Sequence, residues 1–217
     1  MGAFSALLDI LFPPRCVFCR KILPTSHPSL CPECEADLPY TGNHASQSGD
    51  FFSVCVSPLY YEDDVRESLL RFKFKDATGY AGTYGKMLAE SIRSELCGRY
   101  DLISWVPLSR KRYKERGYDQ AMLLALATAL ELDDVAVGTL EKIRHVEKQS
   151  RIGSAEKRRA NISGAYTVPD TELIEGKRIL LIDDIITSGS TLAECARMLR
   201  RAGAAEVLCA TLARSRD

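Results

Sequence analysis

The sequence predicts an α/β protein: a mostly parallel sheet flanked by helices, behind a small N-terminal four-cysteine module. Three observations predict it. Strand-like apolar runs alternate with stretches of helical spacing from about residue 50 onward. One run, 178–186, is continuously apolar until it meets Asp183 and Asp184. Four of the eight cysteines fall at Cys16, Cys19, Cys31 and Cys34, as two Cys-x-x-Cys pairs.

The chain has 217 residues, 46% of them hydrophobic, which is enough for a buried core and excludes global disorder. Lys and Arg number 29 against 29 Asp and Glu, so bulk attraction to nucleic acid is not expected. The longest apolar run, 121–130, is far short of the ~20 residues of a spanning helix. The apolar start, 1–12, lacks a basic leader, is interrupted by Asp9 and has no small-residue cleavage site, so it reads as a short amphipathic helix and not a signal peptide. A cytoplasmic protein without membrane insertion is expected.

The elements follow in order. Residues 1–50 form the cysteine module, ending in the polar, glycine-containing stretch 41–50, which reads as a linker; 51–217 form the second unit. Residues 54–61 read as a strand, 64–75 and 84–97 as helices, 101–108 as a buried strand, 120–132 as a helix and 135–143 as strand-like. Residues 144–161 are polar and aperiodic, 162–168 a short strand. After the strand 178–186 come a helix over 191–202, closed by Gly203, and a last strand over 206–213.

Two Cys-x-x-Cys pairs let two turns each offer two thiolates, closing a tetrahedron round one structural Zn²⁺. A segment of this size lacks the core to fold alone, so metal binding would supply folding energy. A disulfide pair or a redox centre are the competing readings; without a secretory signal a disulfide is disfavoured. His27 and His44 read as surface residues, and Cys55, Cys97, Cys195 and Cys209 as small buried hydrophobes.

The strand ending in Asp183-Asp184 is followed by Thr187, Ser188, Gly189, Ser190 and Thr191. Hydroxyls, backbone N–H groups and a helix N-terminus in one turn suit a phosphate, and Gly189 lets the backbone approach. No P-loop pattern is present. Ionised carboxylates only accept hydrogen bonds, and a ribose diol offers two donors. A pentose 5-phosphate satisfies both halves of the segment.

This segment resembles the phosphoribosyl-pyrophosphate (PRPP) motif of type I phosphoribosyltransferases. The whole chain resembles the ComF family, competence-associated proteins in which a cysteine zinc module precedes a phosphoribosyltransferase-like domain. The residues that carry the resemblance are Phe12-Pro13-Pro14-x-Cys16, Val106-Pro107-Leu108, Arg116-Gly117-Tyr118-Asp119-Gln120, Gln149, Arg158-x-x-Asn161 and the Asp183-Asp184 motif. The family usually has Phe-Asn where this chain has Tyr118-Asp119, and Thr where it has Ser188. The first departure puts a carboxylate in place of an amide.

The resemblance implies a type I phosphoribosyltransferase-like fold that binds PRPP with Mg²⁺ and transfers ribose 5-phosphate to an acceptor. Asp183 and Asp184 would take ribose and Mg²⁺, and residues Thr187 to Thr191 the 5-phosphate. Two basic windows gain roles in the same way. Ser109, Arg110, Lys111, Arg112 and Arg116 correspond to the pyrophosphate loop; 144–159, with Arg158, corresponds to a loop closing over the site. Loss of pyrophosphate builds negative charge that such loops would stabilise. His145 is a candidate base by chemistry alone. The competing readings are a factor in DNA uptake that binds single-stranded DNA or a competence or recombination partner, and a PRPP sensor without turnover. Few aromatics accompany the basic residues, only Tyr113 and Tyr118. The neutral total hides segregation: the two windows hold 11 basic and 3 acidic residues, leaving 18 against 26 elsewhere. That pattern suits a compact ligand with anionic ends and a hydroxylated middle.

Overall fold

A computed structural model describes residues 13–24, 29–42, 45–75, 77–143 and 163–216. After helix α1 (Pro32–Asp37), strands β1 (Ser46–Gly49) and β2 (Phe52–Val56) form an antiparallel hairpin. The stretch expected to be a linker therefore supplies a strand in its second half. The sequence predicts one strand over 54–61, but the structure has two pieces, β2 and β3 (Leu59–Tyr60), parted at Ser57-Pro58. Pro58 has no N–H to give a ladder, and its carbonyl instead accepts from Thr41 N at 2.9 Å.

Helices α2 (Asp63–Phe74) and α3 (Tyr80–Leu96) follow, the latter beginning a turn earlier than its apolar spacing suggests. Strand β4 (Leu102–Trp105) is shorter than expected. The first basic window is not a loop but the helix α4 (Arg110–Arg116). Its signals are local: the Ser109 hydroxyl accepts from Arg112 N at 3.4 Å, and Gly117 closes it at φ 78°. Helix α5 (Gln120–Glu131) matches its apolar pattern.

Of the stretch 135–143, only Ala136, bridging Ile103, and β5 (Glu141–Lys142) are paired. Strand β5 pairs with β6 (Tyr166–Thr167) in a separate two-stranded sheet. Strand β7 (Arg178–Ile186), helix α6 (Ser190–Arg201) and strand β8 (Glu206–Arg214) complete the described chain.

The main sheet runs β1-β2-β8-β7-β4, with β3 beside β8. Every pairing but β1–β2 is parallel, and β7 lies between β8 and the edge strand β4, with Leu180 opposite Leu208 and Asp183 opposite Thr211. Alternate residues of β7 enter opposite cores. Leu180 and Ile182 pack with α2, α3 and α5, and Ile179 and Leu181 with α6. Burial on both faces is why this strand reads as a continuous apolar run. Helices α3 and α5 cross closely at Gly85, where a Cβ would stand 2.8 Å from the Ala127 main chain. No described helix is long and apolar enough to cross a membrane.

The cysteine module shares the first of these cores. Val17, Phe18, Leu23 and Leu38 are buried with Leu69, Phe72 and Tyr84. The Ser68 hydroxyl donates to Val17 O, and Arg71 donates to Val17 O at 3.0 Å and also to Phe18 O.

Candidate functional site

At the N-terminal end, a tight turn over 16–21 and the start of α1 bring four thiols together. Cys16 N donates to Lys21 O at 2.9 Å, and Arg20 N to Cys16 O at 3.0 Å. Cys31 caps α1, its sulfur accepting from Cys34 N at 3.4 Å. All four sulfurs lie within 4.8 Å of one another, and Cys19 Sγ is 3.6 Å from Cys31 Sγ. A tetrahedral site with Zn–S bonds of about 2.3 Å needs sulfurs about 3.8 Å apart. Burial, and then the crowding of the other three thiols, raises Cys34 far above the ordinary thiol range. A dication is what lets such a set ionise together. The donors fit a closed, structural Zn²⁺ site. Lys21 pairs with Glu33 beside it.

The second site lies at the carboxyl end of β7. Asp183 is partly buried and Asp184 buried, and Asp184 N donates to Asp183 Oδ1 at 2.8 Å. Burial, and then the Asp184 charge, raise Asp183 well above the ordinary carboxylate value. The turn that follows contains Thr187, Ser188 and Gly189, the last at φ 68°, and leads into α6. Ser190 and Thr191 open that helix, and the Ser188 and Ser190 hydroxyls are 2.9 Å apart. Asp183 and residues 185–192 enclose a small cavity of about 40 Å³, with first-turn N–H groups of α6 around it.

Opposite stand cations that the sequence offered in three separate places. Lys73, on the last turn of α2, puts Nζ 2.6 Å from Asp184 Oδ2. Arg116, at the end of α4, donates to Gln120 Oε1 at 2.6 Å and stacks on Phe74, with Cζ 4.6 Å from the ring centroid. Burial lowers Arg116 from its ordinary value, opposed first by the Asp184 charge. Ser109, Arg110 and Lys111 line a cavity of about 380 Å³ with Glu141, Lys142 and Ile143. Lys142 donates to the Tyr166 hydroxyl at 2.8 Å, and burial lowers its pKa. Arg112, half-buried, lies among them on α4.

Asp119 has a structural duty. Its Oδ1 accepts from Ala121 N at 3.0 Å and Met122 N at 3.2 Å, capping α5, and its Oδ2 accepts from Leu108 N at 2.7 Å. Three donors suit a carboxylate, so the departure at this position is accommodated locally. Arg158, His145, Gln149, Asn161 and the rest of the second basic window lie outside the described residues, as do His27 and His44.

Sequence reasoning missed Lys73, Phe74 and Lys142. For Lys73 a signal existed: it sits four residues after Leu69 on the face that carries Val65, Leu69 and Phe72, so a lysine there points inward. Nothing local distinguishes Lys142.

Residues 7–57 match the double zinc ribbon domain, and residues 120–217 the phosphoribosyl transferase domain. The chain is 28% identical over 223 residues to competence protein F of Haemophilus influenzae, covering 93% of this chain and 97% of that protein. It is 33% identical over 156 residues to competence protein ComFC of Bacillus subtilis, covering 71% of this chain and 62% of that one. Among solved structures, the glutamine PRPP amidotransferase of B. subtilis matches with a TM-score of 0.44 at 23% identity, over 64% of this chain and 30% of that one. With a zinc ribbon and a phosphoribosyl transferase domain in that order, and a relative matched along almost its whole length, the chain belongs to the ComF family.

Proposed function

We propose that the protein binds Mg²⁺–PRPP and transfers its 5-phosphoribosyl group to an acceptor, in the cytoplasm, in the service of DNA uptake. The observation that carries this reading is the Asp183–Asp184 pair set against the turn 187–191 at the carboxyl end of β7, where open α/β sheets bind ligands. The names of the relatives, competence protein F and competence protein ComFC, support the link to DNA uptake. A reducing cytoplasm keeps the four zinc-ligating thiols reduced.

The turn's N–H groups and hydroxyls would hold the 5-phosphate. Asp183 and Asp184 would accept from the ribose hydroxyls and hold Mg²⁺. Two carboxylates side by side, one raised by its neighbour, with a single ammonium on the pair, fit a site that gains from a divalent cation or two hydroxyl donors. Bound Mg²⁺, held by Asp183 and Asp184, would supply Lewis-acid stabilisation of negative charge. Arg112 and Arg116, with Ser109, Arg110 and Lys111 at the start of α4, would meet the pyrophosphate and stabilise its charge as it leaves.

Calorimetry with PRPP, with and without Mg²⁺, tests the reading. Asp183→Asn with Asp184→Asn is expected to abolish binding, and unchanged affinity would overturn the ribose role. Pyrophosphate release across a metabolite set then tests transfer; binding without release in any mixture would leave a PRPP sensor.

A further inference from the structure

We propose that α5 carries a self-association surface: two copies of this chain pair about a two-fold axis, their α5 helices antiparallel through the stripe Met122, Leu126 and Leu130. The surface is independent of the phosphoribosyl-transfer reading.

The residue pattern of α5 calls for a partner. From residue 120 to 130 the helix has no charged side chain, and its only polar residues, Gln120 and Thr128, are buried in the protein. The outer face is left wholly apolar. Met122, Leu126 and Leu130 follow at i, i+4 and i+8 and lie on one line, with Leu123 beside them. Leu126 is 44% exposed, Leu130 77%, and Val135 just beyond the helix 72%. Packing within the chain uses other residues: Leu124 and Ala125 enter the core, and Ala127 meets Gly85 of α3. A helix apolar all round is ordinarily covered all round. Helices α2, α3 and α6 show the alternative, with Glu67, Glu95 and Arg201 on their exposed sides.

The two ends of the stripe carry opposite charge. Beyond its C-terminal end stand Glu131, Asp133 and Asp134, all exposed, at the negative pole of the helix. Helices α2, α3, α4 and α6 each have a basic residue in the last turn, and α5 has none. Arg93 of α3 donates to Glu131 O, one cation beside three carboxylates. At the N-terminal end, three residues before α5, α4 exposes Lys111 and Lys114. Antiparallel pairing sets the acidic end of each copy beside the basic end of the other, whereas parallel pairing would set like charges together. A two-fold axis makes that contact twice and closes the assembly, because one stripe serves both sides. An uncharged stripe gives a phosphate backbone nothing to hold, and its acidic flank disfavours an anionic lipid surface. Twelve helical residues span about 18 Å, which makes a small interface and a dimer that dissociates on dilution.

The test is sedimentation equilibrium of the full-length, zinc-loaded protein up to about 100 μM. Wild type is expected to show a reversible monomer–dimer equilibrium. Leu126→Ala with Leu130→Ala keeps helix propensity and should weaken pairing about tenfold or more, with the Tm of the dilute protein held. Lys114→Glu and Glu131→Lys should each weaken it about fivefold, and the two together should restore it. The proposal is overturned by assembly that grows past the dimer, or by a double alanine variant that pairs as tightly as wild type. A wild type that stays monomeric at the highest concentration overturns it too, and flotation of that monomer with phosphatidylglycerol vesicles would assign the stripe to lipid instead. Failure of the charge exchange to restore pairing overturns the antiparallel arrangement.

Discussion

Lys73 Nζ stands 2.6 Å from Asp184 Oδ2, with both side chains withdrawn from solvent, and it is the one described ion pair that joins α2 to the end of β7. It supplies one positive charge where two carboxylates sit side by side. Removing one partner of such a pair leaves a buried charge uncompensated. Lys73→Met should therefore destabilise the ligand-free protein by about 3 kcal/mol, read as a lower urea midpoint with unchanged slope. A variant as stable as wild type would show that the ammonium contributes nothing to the fold.

Asp183 should behave in the opposite sense. Its folded-state pKa is raised above the ordinary 3.8 by burial and by Asp184. Between that value and the raised one the folded chain holds more protons than the unfolded chain, so stability falls as pH rises through the window. The penalty is absent below about 3.8 and complete once the pH exceeds the raised value. Asp183→Asn is therefore expected to stabilise the ligand-free protein at pH 7 by about 0.5–2 kcal/mol, a typical gain where function holds a strained site. The gain should shrink steadily on acidification. Paired melting curves of the two proteins from pH 4 to 8 measure it, and a pH-independent difference would contradict the cause assigned here.

These two residues also mark what the sequence makes legible. Asp183 and the turn after it are local: apolar strand, two acids, hydroxyls and glycine follow one another, and β7 spans the residues its run indicates. The zinc ligands are local in the same way. Lys73 and Phe74 acquire meaning only when α2 docks against the corner between α4 and α5, a tertiary event that no window of sequence contains. The basic window before Arg116 misled because its charge pattern suggests a solvated loop, although Ser109 and Gly117 are helix signals. The stretch 135–143 looks strand-like because its side chains favour extended backbone. Only Ala136 and β5 find an edge to pair with, and propensity without a partner makes no ladder.

Asp119 offers a test of the departure from the usual asparagine. Its two oxygens serve three backbone N–H groups, from Leu108, Ala121 and Met122. An amide has one oxygen, so Asp119→Asn must turn an NH₂ group toward at least one donor. A loss of about 1–2 kcal/mol in urea unfolding is expected, the size of a lost cap or an unsatisfied buried group. A neutral result would mean that the strand-to-helix corner relaxes to fit the amide.

Two glycines on α3 should respond with opposite signs. A Cβ at Gly85 would meet Ala127 C and Cβ at 2.8 Å and Thr128 N at 2.9 Å, mostly rigid main chain. A Cβ at Gly82 would meet nothing within 4 Å. Gly82→Ala is expected to stabilise by about 0.5–1 kcal/mol through helix propensity. Gly85→Ala should destabilise by about 1–3 kcal/mol, because the helices must part to admit a methyl group. Thermal melts of the two single variants suffice, and equal shifts would deny the close crossing of α3 and α5.

Loss of zinc should reach the carboxyl end of β7 through α2. That helix carries Ser68 and Arg71, which donate to the main chain of Val17 and Phe18 in the cysteine turn, and two residues later Lys73, which meets Asp184. Val17, Phe18, Leu23 and Leu38 are buried in the core shared with α2 and α3, each contributing about 1.5–3 kcal/mol if exposure is the alternative. Even ~3 kcal/mol lost corresponds to a fall in Tm of about 6–12 °C for a chain of this size. Cys16→Ser, or chelation of the wild type, should therefore lower Tm by that much or more in a single transition and weaken PRPP binding with it. An independent module would instead give two transitions, with the larger unmoved and PRPP affinity intact. Calorimetric melts and PRPP titrations of the chelated protein separate these outcomes, because the α2 linkage requires both effects together.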